Sequence, residues 1–364
     1  AHPELAWEET FAHDLLTTTL AEAGLTVQRS AHGLPTAFVA EAGTTGPRVA
    51  VVCEYDALPG IGHACGHNII AAAGAGAGIA AATLADELGG RVRVVGTPAE
   101  EGGGGKVPLL AAGAFDDCVA ALMVHPAGVE LTEMHAIANR QVVASFTGKA
   151  AHAAAAPDSG RNALDAAVLG YLNVAALRQH IADDERIHGI FTHGGDKPNI
   201  VPAFAELHFY VRGPALAAVD ALCARVAACL EAGAMAAGCT VELDWLEPPY
   251  AELVTNEALL GLYVANAGRV GRHPQQPTTK TRITGSTDMG NVSHVVPVIH
   301  PMVAVSPPDV AIHTPDFATY AAGPEGDHAV VDAAKTLAMT VVDLWLDGDA
   351  RDAVGTSGGP GGAA

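Results

Sequence analysis

The sequence predicts an α/β protein: a mostly parallel sheet with helices on both faces, plus an inserted α+β, ferredoxin-like unit. Three observations predict it. Short apolar runs alternate with longer helical stretches as far as His125, the rhythm changes after Asn139, and it returns after Pro248-Pro249. The chain has 364 residues, 49% of them apolar, which suffices for two domains and a sizeable core.

The elements follow in order. Arg48–Glu54 (RVAVVCE) reads as a buried strand, His67–Leu88 as a helix, Arg91–Gly96 as a strand, Lys106–Gly113 as a helix and Val119–His125 as a strand. The inserted unit then reads as strand Gln141–Thr147, helix Ala163–His180, strands Arg186–His193 and Ala203–Arg212, helix Ala215–Ala237 and strand Thr240–Leu246. Helix Asn256–Val270, strand Val298–Val305 and helix Pro324–Leu346 rejoin the first domain. The boundaries expected are therefore 1–138 and 251–350 for the main domain, 139–250 for the insertion, and a Gly-rich mobile tail over 351–364.

Charge and composition exclude several functions. Nineteen Lys+Arg stand against 40 Asp+Glu, a net charge of −21, so a phosphate backbone or an anionic membrane would be repelled. Ile69–Leu84 is apolar but short and rich in Gly and Ala, and reads as a buried helix rather than a membrane span. The six cysteines match neither a zinc ribbon nor a secreted disulfide scaffold. With no signal peptide at the start, a cytoplasmic, reducing location is expected.

Chemistry-bearing residues cluster where strands end, the place at which ligands gather in open α/β sheets. After Glu54-Tyr55-Asp56 comes Gly62-His63-Ala64-Cys65-Gly66-His67-Asn68, in which Cys65 and His67 can face one ion. Thiolate and imidazole suit zinc or a similar metal, and Asp56 can orient an imidazole. A Cys-x-His pair on its own is more often a small buried residue and a polar group at a helix N-terminus than a ligand pair. The run Gly96-Thr97-Pro98-Ala99-Glu100-Glu101-Gly102-Gly103-Gly104-Gly105-Lys106 offers adjacent carboxylates that can divide labour, one on a metal and one accepting a proton. A solvated acidic turn is its bland alternative. A phosphate loop is another, although the spacing and the Ser or Thr are missing. His125 ends a strand, and His313 precedes a helix, with His300 competing for the same ligand role. In the insertion, His152, Asn199 and Arg212 offer an imidazole, an amide and a guanidinium suited to a carboxylate or an oxyanion.

The motifs EYDALP, GHACGHN, GTPAEEGGGGK, GKAAHA, NALDAA, KPNIVP, GSTDMGNVSHVVP and HTPDF occur together and in order. As a set they resemble the aminoacylase and carboxypeptidase family of metallopeptidases, in the branch with p-aminobenzoyl-glutamate hydrolase and the β-alanyl-lysine type dipeptidase. The resemblance implies two divalent ions, zinc first, with manganese, cobalt or nickel open to a thiolate site. It also implies that Cys65 bridges them, that His67 and His125 complete one site, and that Glu101 and His313 complete the other. Glu100 becomes the general base, and His152 the oxyanion donor, reaching across a dimer. Asn199 and Arg212 hold substrate, and the insertion serves as lid and dimerisation surface. Many relatives carry His-x-Asp where this chain has Glu54-Tyr55-Asp56, so His67 takes the role of the missing histidine.

The function expected is metal-dependent hydrolysis of an amide bond in a dipeptide or N-acyl amino acid by a homodimer or larger homo-oligomer. The alternatives are a cysteine-nucleophile amidase using Cys65 with His63 or His67, and a catalytically silent metal-binding member. The motifs do not encode the particular substrate.

Overall fold

The computed structural model describes residues 2–279, 281 and 283–357. Two compact units emerge, one of Ala1–Ala136 with Leu253–Ala364 and one of Ile137–Glu252.

The first unit begins with α1 (Thr10–Glu22), β1 (Thr26–Arg29), β2 (Phe38–Ala42), β3 (Arg48–Glu54), α2 (His67–Ala82) and α3 (Ala85–Leu88). It continues with β4 (Arg91–Thr97), α4 (Lys106–Ala111), β5 (Cys118–Leu122), β6 (His125–Ala127) and β7 (His135–Ala136). The second unit holds β8 (Ala138–Thr147), α5 (Ala163–Leu177), β9 (Arg186–His193), β10 (Phe204–Gly213), α6 (Leu216–Ala236) and β11 (Thr240–Tyr250). The chain then returns through α7 (Glu257–Arg269), β12 (Thr284–Gly285), α8 (Met289–Ser293), β13 (Val298–Ile299) and β14 (Met302–Ala304). It ends with α9 (Pro315–Ala321), α10 (Pro324–Leu346) and α11 (Gly348–Thr356).

The main sheet of the first unit runs β1-β2-β4-β3-β5-β13 among the described residues. Its β4/β3/β5/β13 portion is parallel, and β1 and β2 add an antiparallel edge. Because side chains alternate along a strand, β3 serves two layers. Val49 and Val51 pack with α2, α7 and α10 on one face. Ala50 and Val52 pack with Leu109 of α4 and with Met289 and Val292 of α8 on the other. This is the expected α/β architecture, with the parallel strands in the middle.

Four elements differ from the sequence expectation, the first being the helix expected over His67–Leu88, which is split into α2 and α3. The strand expected over Val119–His125 is two strands, and so is that over Val298–Val305, which breaks at His300-Pro301. Pro301 has no N–H for a ladder. The chain therefore steps from β13, which pairs with β5, to β14, which pairs with β6. That step carries His125 beyond the carboxyl end of the sheet. The expected tail at 351 begins as helix instead: α11 buries Val354, and Asn256 Nδ2 donates to the Val354 carbonyl at 2.9 Å. The rest of the tail, 358–364, lies outside the described residues.

The second unit is an antiparallel sheet in the order β11-β8-β10-β9. Ala205, Leu207, Phe209 and Val211 of β10 share one face, and there they pack with Ala166, Val174, Leu222, Val226 and Leu230 of α5 and α6. The two helices approach closely because Gly170 and Gly233 meet: a Cβ on Gly233 would lie 2.4 Å from the Gly170 nitrogen. No helix of the described residues is long and apolar enough to cross a membrane.

Candidate metal centre

The centre lies in the first unit, where β3, β4 and β5 end. Glu54 closes β3, and the chain loops through Asp56 and turns at Gly66 into α2. Gly66 has φ +83°, and a Cβ there would sit 2.5 Å from Pro126 Cγ. Only glycine lets the Cys65-Gly66-His67 turn approach His125-Pro126 this closely.

Hydrogen bonds fix which ring nitrogen each histidine offers. His67 Nδ1–H donates to Asp56 Oδ1 at 2.8 Å, and His125 Nδ1–H donates to the Pro126 carbonyl at 2.8 Å. Both rings thus turn Nε2 inward. His67 Nε2 is buried without a hydrogen-bond partner. It faces Glu54 Oε2 at 3.6 Å, Glu100 Oε2 at 3.8 Å and Glu101 Oε1 at 3.9 Å. Cys65 Sγ lies 3.4 Å from His125 Nε2 and 3.3 Å from His313 Nε2, which is itself 3.3 Å from Glu101 Oε1. His313 adopts φ +64°, held by a 2.7 Å bond from its N–H to the Ala64 carbonyl.

These spacings suit metal ligands. Two donors about 2.0–2.3 Å from one tetrahedral ion stand roughly 3.3–3.7 Å apart. Cys65, His67 and His125 converge closely enough to share an ion, as do Cys65, Glu101 and His313, with Cys65 common to both. A third convergent group joins Glu54, His67 and Glu100. His300 enters none of these groups. It is fully buried with its ring stacked 5.5 Å from that of His125, and neither of its nitrogens has a partner.

Burial, then the neighbouring Glu54 carboxylate, holds Glu100 well above the usual carboxylate range. Burial, then His67, pulls His125 down to about 4, so it is a neutral imidazole at pH 7. Burial also pushes the Cys65 thiol up. For Glu101, burial is outweighed by His313 and His67, and its carboxyl stays low.

Lys106 is fully buried, with Nζ 2.5 Å from Glu54 Oε1 and 2.7 Å from Asp288 Oδ1. Burial opposes its charge, but the two carboxylates outweigh it and keep the ammonium protonated. A lysine so committed is not the phosphate-binding arm of a nucleotide loop. Sequence reasoning assigned no role to Glu54–Lys106–Asp288, although each residue stands in a quoted motif. Nothing in their spacing announces the ion pairs.

His152, Asn199 and Arg212 belong to the second unit. The first two are exposed neighbours: the Ala153 N–H donates to the Asn199 carbonyl at 3.1 Å, and His152 bridges Ile200. His152 Nδ1 accepts from the N–H groups of Ala154 and Ala155, leaving Nε2 to carry a proton. Arg212 lies at the far end of β10, its guanidinium 5.3 Å above the Tyr210 ring. Eight steps along the strand, roughly 27 Å, separate it from Phe204 at the other end.

The profile of Peptidase family M20/M25/M40 matches residues 50–341. The chain belongs to this family. Mouse Xaa-Arg dipeptidase (Mus musculus) is 40% identical over 357 residues, covering 94% of this chain and 83% of the relative. A p-aminobenzoyl-glutamate hydrolase polypeptide from Escherichia coli K12 is 36% identical over 262 residues, covering 66% of this chain and 54% of that one. Among solved structures, a Bacillus subtilis dinuclear metal binding peptidase from the M20 family aligns with a TM-score of 0.70 at 21% identity over 94% of both chains. The protein is thus an M20 hydrolase acting on amide bonds, in the branch its motifs resemble.

Proposed function

We propose that this M20 peptidase hydrolyses the amide bond of dipeptides that end in a basic residue, using two divalent ions, zinc first. The observation that carries the reading is the position of Cys65 Sγ, 3.4 and 3.3 Å from the Nε2 atoms of His125 and His313. One sulfur between two imidazoles suits a bridging thiolate. His67 and His125 are assigned to one ion, and Glu101 and His313 to the other. The similarity to Xaa-Arg dipeptidase supports the basic residue. Other N-acyl amino acids are the wider class.

When bound, the ions supply Lewis acidity to water and to the scissile carbonyl. The rest falls to the chain. Asp56 fixes the tautomer and tilt of His67. Glu100 takes a proton from the attacking water and returns it to the leaving amine. His152 donates Nε2–H to the oxyanion, and Asn199 and Arg212 hold the substrate. The second unit is assigned as lid and dimer surface. The position of Arg212 at the end of β10 away from Phe204 is compatible with a site to which two subunits contribute. The six cysteines, all free, suit the reducing cytoplasm.

Metal analysis combined with a dipeptide and acyl-amino-acid panel tests this reading. Activity on an Xaa-Arg substrate is expected to vanish on chelation and return with metal. Glu100→Gln is expected to keep its metals and lose ~10²–10⁴-fold in kcat. A thiol hydrolase would survive chelation, and a silent member would cleave nothing while fully loaded.

A further inference from the structure

Glu9 is a fully buried carboxylate outside the metal cluster. It stands at the N-cap of α1, yet its side chain makes no capping bond to that helix. Glu4 satisfies the helix start instead, accepting from Phe11 N at 2.8 Å and Ala12 N at 2.9 Å. Glu9 Oε1 accepts from Ala99 N at 2.8 Å and Trp7 N at 3.0 Å, while Oε2 accepts from Thr36 Oγ1 at 2.8 Å.

Ala99 is the residue before the paired carboxylates of the centre, and it sits at φ +59°. A left-handed alanine is unfavourable and persists only where its surroundings hold it. The turn has a purpose. In an extended chain, adjacent side chains point to opposite sides. Here Glu100 and Glu101 both face His67 Nε2, at 3.8 and 3.9 Å. Ala99 is held from both ends, its N–H by Glu9 and its carbonyl by the Gly104 N–H at 2.8 Å. The same N-terminal segment reaches the other loop of the centre, where the Glu4 carbonyl accepts from the N–H of Ala57, next to Asp56, at 2.8 Å. Trp7 closes over the glycine run: a Cβ on Gly103 would meet its indole Nε1 at 2.3 Å.

We infer that Glu9 is a positioning residue of the active site, holding the Ala99 turn through Oε1 and thereby aiming Glu100 and Glu101. This rests on the roles proposed for those two carboxylates. The role needs an acceptor at Oε1 and not a charge. Glutamine keeps that acceptor and turns its amide NH₂ toward the Thr36 hydroxyl, which can accept.

The test uses the full-length, metal-loaded protein with Glu9→Ala and Glu9→Gln. Steady-state kinetics and amide hydrogen exchange of residues 100–104 are the two readouts. Glu9→Ala is expected to lower kcat by ~10- to 100-fold with KM nearly unchanged, as for misaligned catalytic groups. Exchange is expected to accelerate in 100–104 while β3 and β5 stay protected. Glu9→Gln is expected to restore both readouts. Should Glu9→Ala fail to fold, Glu9→Asp, which keeps the charge but withdraws the oxygens by one methylene, carries the same expectation.

Unchanged loop exchange in the shortened variant would overturn the inference, whatever happens to kcat. So would a Glu9→Gln variant as impaired as Glu9→Ala, since that points to charge. A fully active Glu100→Gln would sink the general-base reading instead. The exchange data would then still decide whether Glu9 holds the turn.

Discussion

Cys65 and His300 both neighbour His125 and answer burial in opposite ways. Cys65 is surrounded by donors close enough to share a cation, and a bound cation would offset the cost of burying a thiolate. His300 has no such company and stays neutral, burial first and His125 second pulling it down to about 3. Its folded pKa is therefore depressed below the unfolded value of about 6.5. The unfolded chain binds a proton there that the folded chain refuses. The contribution to stability is complete above about pH 6.5 and is lost as pH falls toward 3. Metal-free protein should lose about 2 kcal/mol between pH 7 and 5 through this residue. Urea denaturation of wild type and His300→Leu at both pH values checks it. The gap between the two proteins should shrink by that amount in favour of the variant on acidification, and parallel pH profiles would refute the assignment. The sequence left His300 and His313 as rivals for one ligand role, because two histidines near strand ends look alike. Only the step at Pro301 separates them, aligning His300 with His125 rather than with Cys65.

At the scale of elements, α2 shows what a helix packed on several sides requires. It contains three glycines and a run of alanines, and Ile69, Ile70, Ala73, Gly74, Ala77, Gly78 and Ala81 are among its buried residues. A Cβ on Gly74 would lie 2.7 Å from both Cys53 Sγ and the Val52 carbonyl oxygen, so β3 would have to move. Gly74→Ala is expected to destabilise by ~1–3 kcal/mol, overpacking outweighing the better helix propensity. Gly261 in α7 is exposed with no atom within 4 Å of its would-be Cβ, so Gly261→Ala is expected to stabilise by ~0.5–1 kcal/mol. Chemical denaturation of the pair reads the contrast, and equal signs would contradict this account of α2. The α/β rhythm from Arg48 to His125 was legible because buried parallel strands are continuous apolar runs. The edge strands β1 and β2 were not, since β1 has four residues and little buried surface to impose a pattern. The breaks at His125 and His300 were hidden too, because each apolar run continues past the point where pairing changes partner.

For the whole molecule, the sequence presented the candidate metal ligands as separate weak signals, and Cys65 and His313 stand 248 positions apart. What joined them along the chain was the ordered set of motifs. What joins them in space is the shared carboxyl edge of β3, β4 and β5. Glu9 was beyond reach, since a lone Glu before a helix reads as a solvated cap and its partner lies 90 positions away. The central claim is that Cys65 bridges two cations. Anomalous diffraction above and below the zinc edge, from active crystals grown with zinc, tests it most directly. The account predicts two peaks, each about 2.3 Å from Cys65 Sγ. One should be shared with His67 and His125, the other with Glu101 and His313. Active crystals whose zinc peaks lie away from that sulfur would contradict it.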